Sequence, residues 1–209
     1  MISKNGWDYF EVSWNFEKHP LLKFPSNTIE SSFRQWKEFT KTQFNQLKEN
    51  EEELNRIFID IYGLQNEITP DVKDEDVTVR EADLERDRKN FILYAVGCML
   101  GHYSLDEEGL VYAGGSFDSD HYHTFQSDEN NILPILPGSY FEEDIVTRFV
   151  KYVEVTYGED TLEGNLQFLA DAIGRRKNVR PREAIRRYFL TLSQFYEDHT
   201  KTYKRTPIY

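Results

Sequence analysis

Apolar residues return along the chain at helical intervals. Ile29, Phe33, Trp36, Phe44, Leu47, Leu54, Phe58 and Ile61 fall at steps that reduce to three, four or seven. That is the stripe of an amphipathic helix. Asn27 or Thr28 supplies an N-cap, and Gly63 supplies a closing residue. One helix is therefore predicted up to Tyr62, roughly 50 Å long at ~1.5 Å per residue. It either runs unbroken or bends near the acidic stretch 49–53. A second helix is predicted over 81–103. Its second half, FILYAVGCML, is apolar all round, as in a buried helix. Gly97 and Gly101 would let another element approach it closely. A third helix, about 140–157, rests on Phe141, Ile145, Phe149, Val153 and Tyr157. Asp160 with Glu163 resembles a capping pair. It would open a fourth helix on Leu162, Leu166, Leu169 and Ile173, ended by Gly174. Pro181 suits the first turn of a fifth, carried by Ile185, Tyr188, Leu192, Phe195 and His199.

Short strands are predicted at 8–14, 77–79, 110–112 and 132–135, each a brief apolar run near breakers. The fold class is thus mainly α: about five helices with a few short strands, forming a helical scaffold. Residues 1–26 read as an aromatic extended arm, whose Trp7, Trp14 and Phe16 need a surface to cover them. Residues 27–209 read as one mainly helical domain, with room for a sub-boundary in the loop-rich stretch 104–138.

Composition agrees with a packed core. Of 209 residues, 39% are apolar and 15% aromatic, too many for a disordered chain. A lone cysteine, Cys98, excludes an intrachain disulfide and a Cys-rich zinc site, and suits a reducing, cytoplasmic setting. The longest apolar run is too short to cross a bilayer. MISKNGWDYF lacks the apolar region of a signal peptide.

Charge changes the picture more. The net charge is -12, against a free-standing nucleic-acid binder. The average hides an asymmetry. Residues 49–87 carry 14 acids and 4 bases. Residues 175–187 carry Arg175, Arg176, Lys177, Arg180, Arg182, Arg186 and Arg187 against Glu183 alone. This basic run joins the end of one predicted helix to the start of the next, where free N–H groups favour anions. Arg182 and Arg186, four apart, would share a face. The run suits a phosphate backbone. It also suits a solvated turn paired with the chain's own acids, the reading that physics alone favours.

Other candidates carry less. Asp118, Asp120, His121 and His123 are dense enough in ligand types for a metal, but no partner motif such as H-E-x-x-H supports one, and a solvated loop rich in turn formers is the favoured reading. Cys98 sits in an apolar helical run and reads as core. Glu142, Glu143 and Asp144 are expected from the helix dipole. Neither phosphate-cradling glycine motifs nor G-x-S-x-G occur.

Longer stretches carry a resemblance. NEEELNRIFIDIYGLQNEITPDV, FILYAVGCMLGHYSLDEEGLVYAGG, NNILPI, FEEDIVTRFVKYVEVTYGEDTLEGNLQFLADAIG and REAIRRYFL closely resemble a region of the PglX-type adenine-N6 DNA methyltransferases of phage-exclusion (BREX) systems. Those are similar to large fused restriction-modification enzymes. The resemblance runs from about Ser13 to Tyr209. It implies an internal segment C-terminal to a catalytic domain, since in that family a stretch like KRTPIY continues onward. It implies S-adenosylmethionine as cofactor of the parent enzyme and none in this segment: the [N/D]-P-P-[Y/F] motif is missing, no two prolines being adjacent. The implied role is a non-catalytic scaffold that positions target-recognition elements, with double-stranded DNA and the neighbouring domains of the same chain as partners and no membrane. Arg175, Arg176, Lys177, Arg180, Arg182, Arg186 and Arg187 are the expected phosphate contacts. A protein-interaction module using the aromatic arm is the alternative.

Overall fold

A computed structural model describes residues 8–138, 143–174, 176 and 178–203, the side chains of Leu192, Ser193 and Tyr203 excepted. Seven helices follow one another: α1 (Pro20–Lys23), α2 (Ile29–Tyr62), α3 (Leu84–Met99), α4 (Ile145–Tyr157), α5 (Leu162–Ala172), α6 (Pro181–Leu190) and α7 (Leu192–Tyr203).

α2 starts and stops where its sequence directs. The Thr28 side chain accepts from the Ser31 N–H, and Gly63 ends the helix at φ 69°, a conformation glycine adopts without a Cβ clash. The acidic stretch 49–53 does not interrupt it: the helix is continuous for 34 residues. Its first half is packed. Ile29, Phe33, Trp36 and Phe44 are buried, and Trp36 lies in an aromatic cluster with Tyr9, Phe24 and Phe39.

α3 is the hub. Phe91 to Val96, Cys98 and Met99 are all buried, as an all-round apolar helix requires. α4, α5 and α7 pack on it. Gly97 is needed because a Cβ there would lie 2.7 Å from the Tyr103 ring. The long loop after α3 folds back beneath its end. The Asp128 N–H donates to Met99 O at 2.7 Å, and the Tyr122 hydroxyl to Gly101 O.

Two buried polar links hold α2 in place. Asn165 of α5 accepts from the Ile29 N–H at 2.9 Å. Asp87 of α3 accepts from the Trp36 indole N–H at 2.9 Å, the Asp83 N–H and the Arg86 Nε–H. Burial raises the Asp87 pKa, against the opposing pull of Arg86 and Trp36.

Three expectations are corrected. Seven helices among the described residues replace five, because the arm contains the short α1 (Pro20–Lys23) and the stretch 181–199 breaks at Thr191 into α6 and α7. The break lets Phe189 meet Phe195 at 5.3 Å and the Tyr188 hydroxyl reach Asp198. Second, no strand forms among the described residues. A strand needs a ladder partner, and each candidate lacks one. Residues 8–14 are turned by Asp8, which accepts from the Ser13 hydroxyl at 2.6 Å, and Val111 makes a single backbone bond, to His102 O. Third, Asp160 does not cap α5: it lies in a 3₁₀ turn, Glu159–Thr161, and the helix begins at Leu162 without a side-chain cap. The first residues expected of the third helix, 140–142, lie outside the described residues, as does Trp7. Phe16 is buried against Tyr94 and Tyr103, and Trp14 is exposed.

Candidate nucleic-acid interface

The basic run occupies the joint between α5 and α6. Gly174, at φ 76°, terminates the α5 direction. A turn follows, in which the Val179 N–H donates to Arg176 O at 2.9 Å. Val179 anchors that turn on the core. Pro181 then opens α6 with its ring fixing the first helical φ. No side chain caps this helix at Arg180, so its first N–H groups are not occupied by a capping oxygen.

The arginines around this joint divide by direction. Arg176 and Arg180 are exposed, and neither has an ion pair among the described residues. Arg182 is exposed and pairs with Glu163 of α5, itself exposed. Arg187 is exposed and pairs with Glu183 one turn back. Such surface pairs contribute about 0–1 kcal/mol, so phosphate oxygens could replace the carboxylates at small cost. Arg175 and Lys177 lie outside the described residues.

Arg186 is different. It turns inward, its side chain 13% exposed, and forms an ion pair at 2.5 Å with Asp144, whose side chain is 1% exposed. It also donates to Leu136 O at 3.1 Å and Gly138 O at 3.4 Å. Asp144 caps α4, accepting from the Thr147 N–H at 2.8 Å. Burial alone would raise the Asp144 pKa, but the bonds from Arg186 and Thr147 outweigh it and hold the carboxyl below its ordinary range. Arg182 and Arg186 therefore do not share an exposed face. One points out and the other ties α6 to the start of α4. The sequence signal for this pair was half visible: Asp144 stands just before an apolar helical repeat, where a capping acid is expected, while its arginine lies 42 positions on.

The other candidates resolve into structural roles. Cys98 is buried, and burial pushes its thiol well above the ordinary range. His121 faces Glu107 at 3.4 Å and Asp118 at 3.9 Å. Asp106 accepts from the His123 and Thr124 N–H groups and closes their turn. Among the described residues, no group of three or more His, Cys, Asp or Glu side chains is placed to hold a metal ion. None of the described helices is long and apolar enough to cross a membrane.

No family model matches the chain. Two curated proteins do. The adenine-specific methyltransferase PglX of Lacticaseibacillus casei (strain Zhang) is 44% identical over 214 residues, covering 99% of this chain. Over its full length the chain matches a segment of the PglX-type proteins. The adenine-specific methyltransferase BrxX of Escherichia coli O9:H4 (strain HS) is 35% identical over 237 residues and covers the whole chain. The PglX-type segment spans 18% of the first relative's length and 19% of the second's.

Proposed function

We propose that this chain is a non-catalytic scaffold of an S-adenosylmethionine-dependent adenine-N6 DNA methyltransferase serving phage defence. It lies C-terminal to the catalytic domain in the parent polypeptide. It holds target-recognition elements against that domain and touches the DNA backbone at the α5–α6 joint. One observation carries the DNA contact: Arg176, Arg180 and Arg182 face solvent around an uncapped helix start, with Arg187 exposed in the last turn of the same helix, on a chain whose net charge is otherwise strongly negative. Arg175 and Lys177 belong to the same basic run, and Arg186 fixes the helix that presents it. The acceptor of the methyl group must leave the DNA stack, and phosphate contacts of this kind keep the enzyme in register meanwhile. S-adenosylmethionine would bind elsewhere in the parent chain.

The test is a titration of fluorescent duplex DNA with this chain at about 50 and about 200 mM salt, beside the variant Arg180→Glu/Arg182→Glu. A handful of phosphate contacts makes affinity fall by orders of magnitude over that range. Binding that weakens with salt and disappears in the variant supports the assignment. Absence of binding at low salt removes DNA from the role and leaves a spacer or docking surface.

A further inference from the structure

The last turns of α2 carry an apolar stripe that none of the described residues covers. Leu54, Ile57, Phe58, Ile61 and Tyr62 are 53%, 45%, 54%, 68% and 70% exposed. Their spacing repeats three and one, so they form a single face. Phe58 and Tyr62 stack at 6.5 Å, and Ile68 in the following loop is also exposed. The opposite side of the same turns is occupied. The loop after Gly63 returns along the helix, where Lys48 pairs with Asp74, the Val72 N–H donates to Glu52, and Asn55 donates to Pro70 O. Residues 48, 52, 55 and 59 centre about 120° round the helix from the centre of the stripe at ~3.6 residues per turn. The stripe is therefore a surface left over after the chain has packed its own loop.

Charge selects the occupant. Residues 49–76 hold ten acids and two bases, with Glu51, Glu53 and Asp60 beside the stripe. A second copy would set acid against acid, and an anionic membrane surface would be repelled. We propose that this stripe docks an amphipathic helix with an apolar face and Lys or Arg along its flanks. That helix comes from the part of the PglX-type polypeptide outside this segment, which makes up some four-fifths of the relatives' length. The proposal rests on the reading of this chain as one segment of such a polypeptide, not on DNA contact.

Two measurements test it. The first uses anisotropy of a labelled synthetic helix of about 18 residues, bearing a Leu stripe flanked by Lys, with a scrambled peptide of equal composition as control. The chain is expected to bind the amphipathic helix at least about tenfold tighter than the scrambled one, at about 200 mM salt, where screening weakens charge-only attraction. Phe58→Asp/Ile61→Asp should abolish the preference although it makes the surface more acidic. Equal binding of both peptides, or unchanged binding by the variant, overturns the proposal. The second uses maleimide labelling of Ile61→Cys, with Cys98 buried as background. The new thiol should label at least about tenfold more slowly in the complete PglX-type polypeptide than in the 209-residue chain, because the docked helix excludes the reagent. Equal rates, or shielding in the 209-residue chain by self-association, overturn it. DNA titration of wild type beside Phe58→Asp/Ile61→Asp separates the two readings: absent wild-type DNA binding sinks the proposed function alone, and loss of peptide preference with DNA binding unchanged concerns the stripe alone.

Discussion

The two halves of α2 obey one sequence rule and meet opposite fates. Both place apolar residues three and four apart. In the first half, Ile29, Phe33 and Trp36 are buried in the core, where α1, α5 and the aromatic cluster around Trp36 pack, and Phe44 is buried one step further along. In the second half, Leu54, Phe58 and Ile61 stand in solvent, and Ile59 alone is buried. Periodicity states that a helix has an apolar face. It does not state whether the same chain supplies the cover. Where it does, the stripe stabilises the fold. Where it does not, the stripe is a surface for something else.

The strongest way to break this comparison is to truncate both halves. Trp36→Ala is expected to cost about 3–5 kcal/mol, the range for a buried Trp, and to leave Asp87 without its indole donor. Phe58→Ala should change stability by no more than about 0.5 kcal/mol. Urea melts of both variants check this. A large loss at Phe58 would mean that the second half is packed after all.

The same contrast recurs in α6. Arg186→Ala strips Asp144 of its buried counter-charge and is expected to cost about 3 kcal/mol. Arg182→Ala, at an exposed pair, should cost at most about 1 kcal/mol. Thermal melts of the two variants rank them, and comparable losses would remove the distinction between an inward tie and an outward contact.

Acid sharpens the comparison at the packed end. His19 caps α1, accepting from the Leu21 N–H at 3.2 Å, and burial lowers its pKa from 6.5 to about 3. Folded His19 stays neutral where the unfolded chain binds a proton. Its contribution is therefore complete above about pH 6.5 and declines as the pH falls toward 3. Between pH 7 and pH 5 the loss is about 2 kcal/mol at ~1.4 kcal/mol per unit. His19→Asn retains an acceptor and does not titrate. Urea melts at the two pH values should show wild type losing about 2 kcal/mol more than the variant. A smaller loss is expected of Thr28→Ala, which removes the cap of α2 and should cost about 1 kcal/mol in the same melts.

Much of this fold was legible from local pattern. The start and end of α2 and the buried α3 follow from caps, a closing glycine and apolar spacing, whereas the continuity of α2 past the acidic stretch was left open by the pattern. What stayed hidden depends on distant residues. Thr191 divides a continuous stripe because Phe189, Phe195 and Asp198 pack better across a bend. Val77 and Val79 are buried with no ladder partner, so a strand-like pattern produced no strand. At the candidate site, the basic run and its place between two helices were readable, but the inward turn of Arg186 required knowing that Asp144 lies beside it.

The central claim is that this segment presents the α5–α6 joint to DNA while the parent enzyme methylates adenine. The direct measurement is adenine-N6 methylation of duplex DNA by the complete PglX-type polypeptide, wild type against Arg180→Glu/Arg182→Glu, at about 50 and about 200 mM salt. The account expects the variant to require more DNA for half-maximal rate, with the deficit largest at low salt and shrinking as salt rises, since the variant has fewer salt-sensitive contacts to lose, and the rate at saturating DNA largely kept. Equal DNA dependence at both salt concentrations would contradict it.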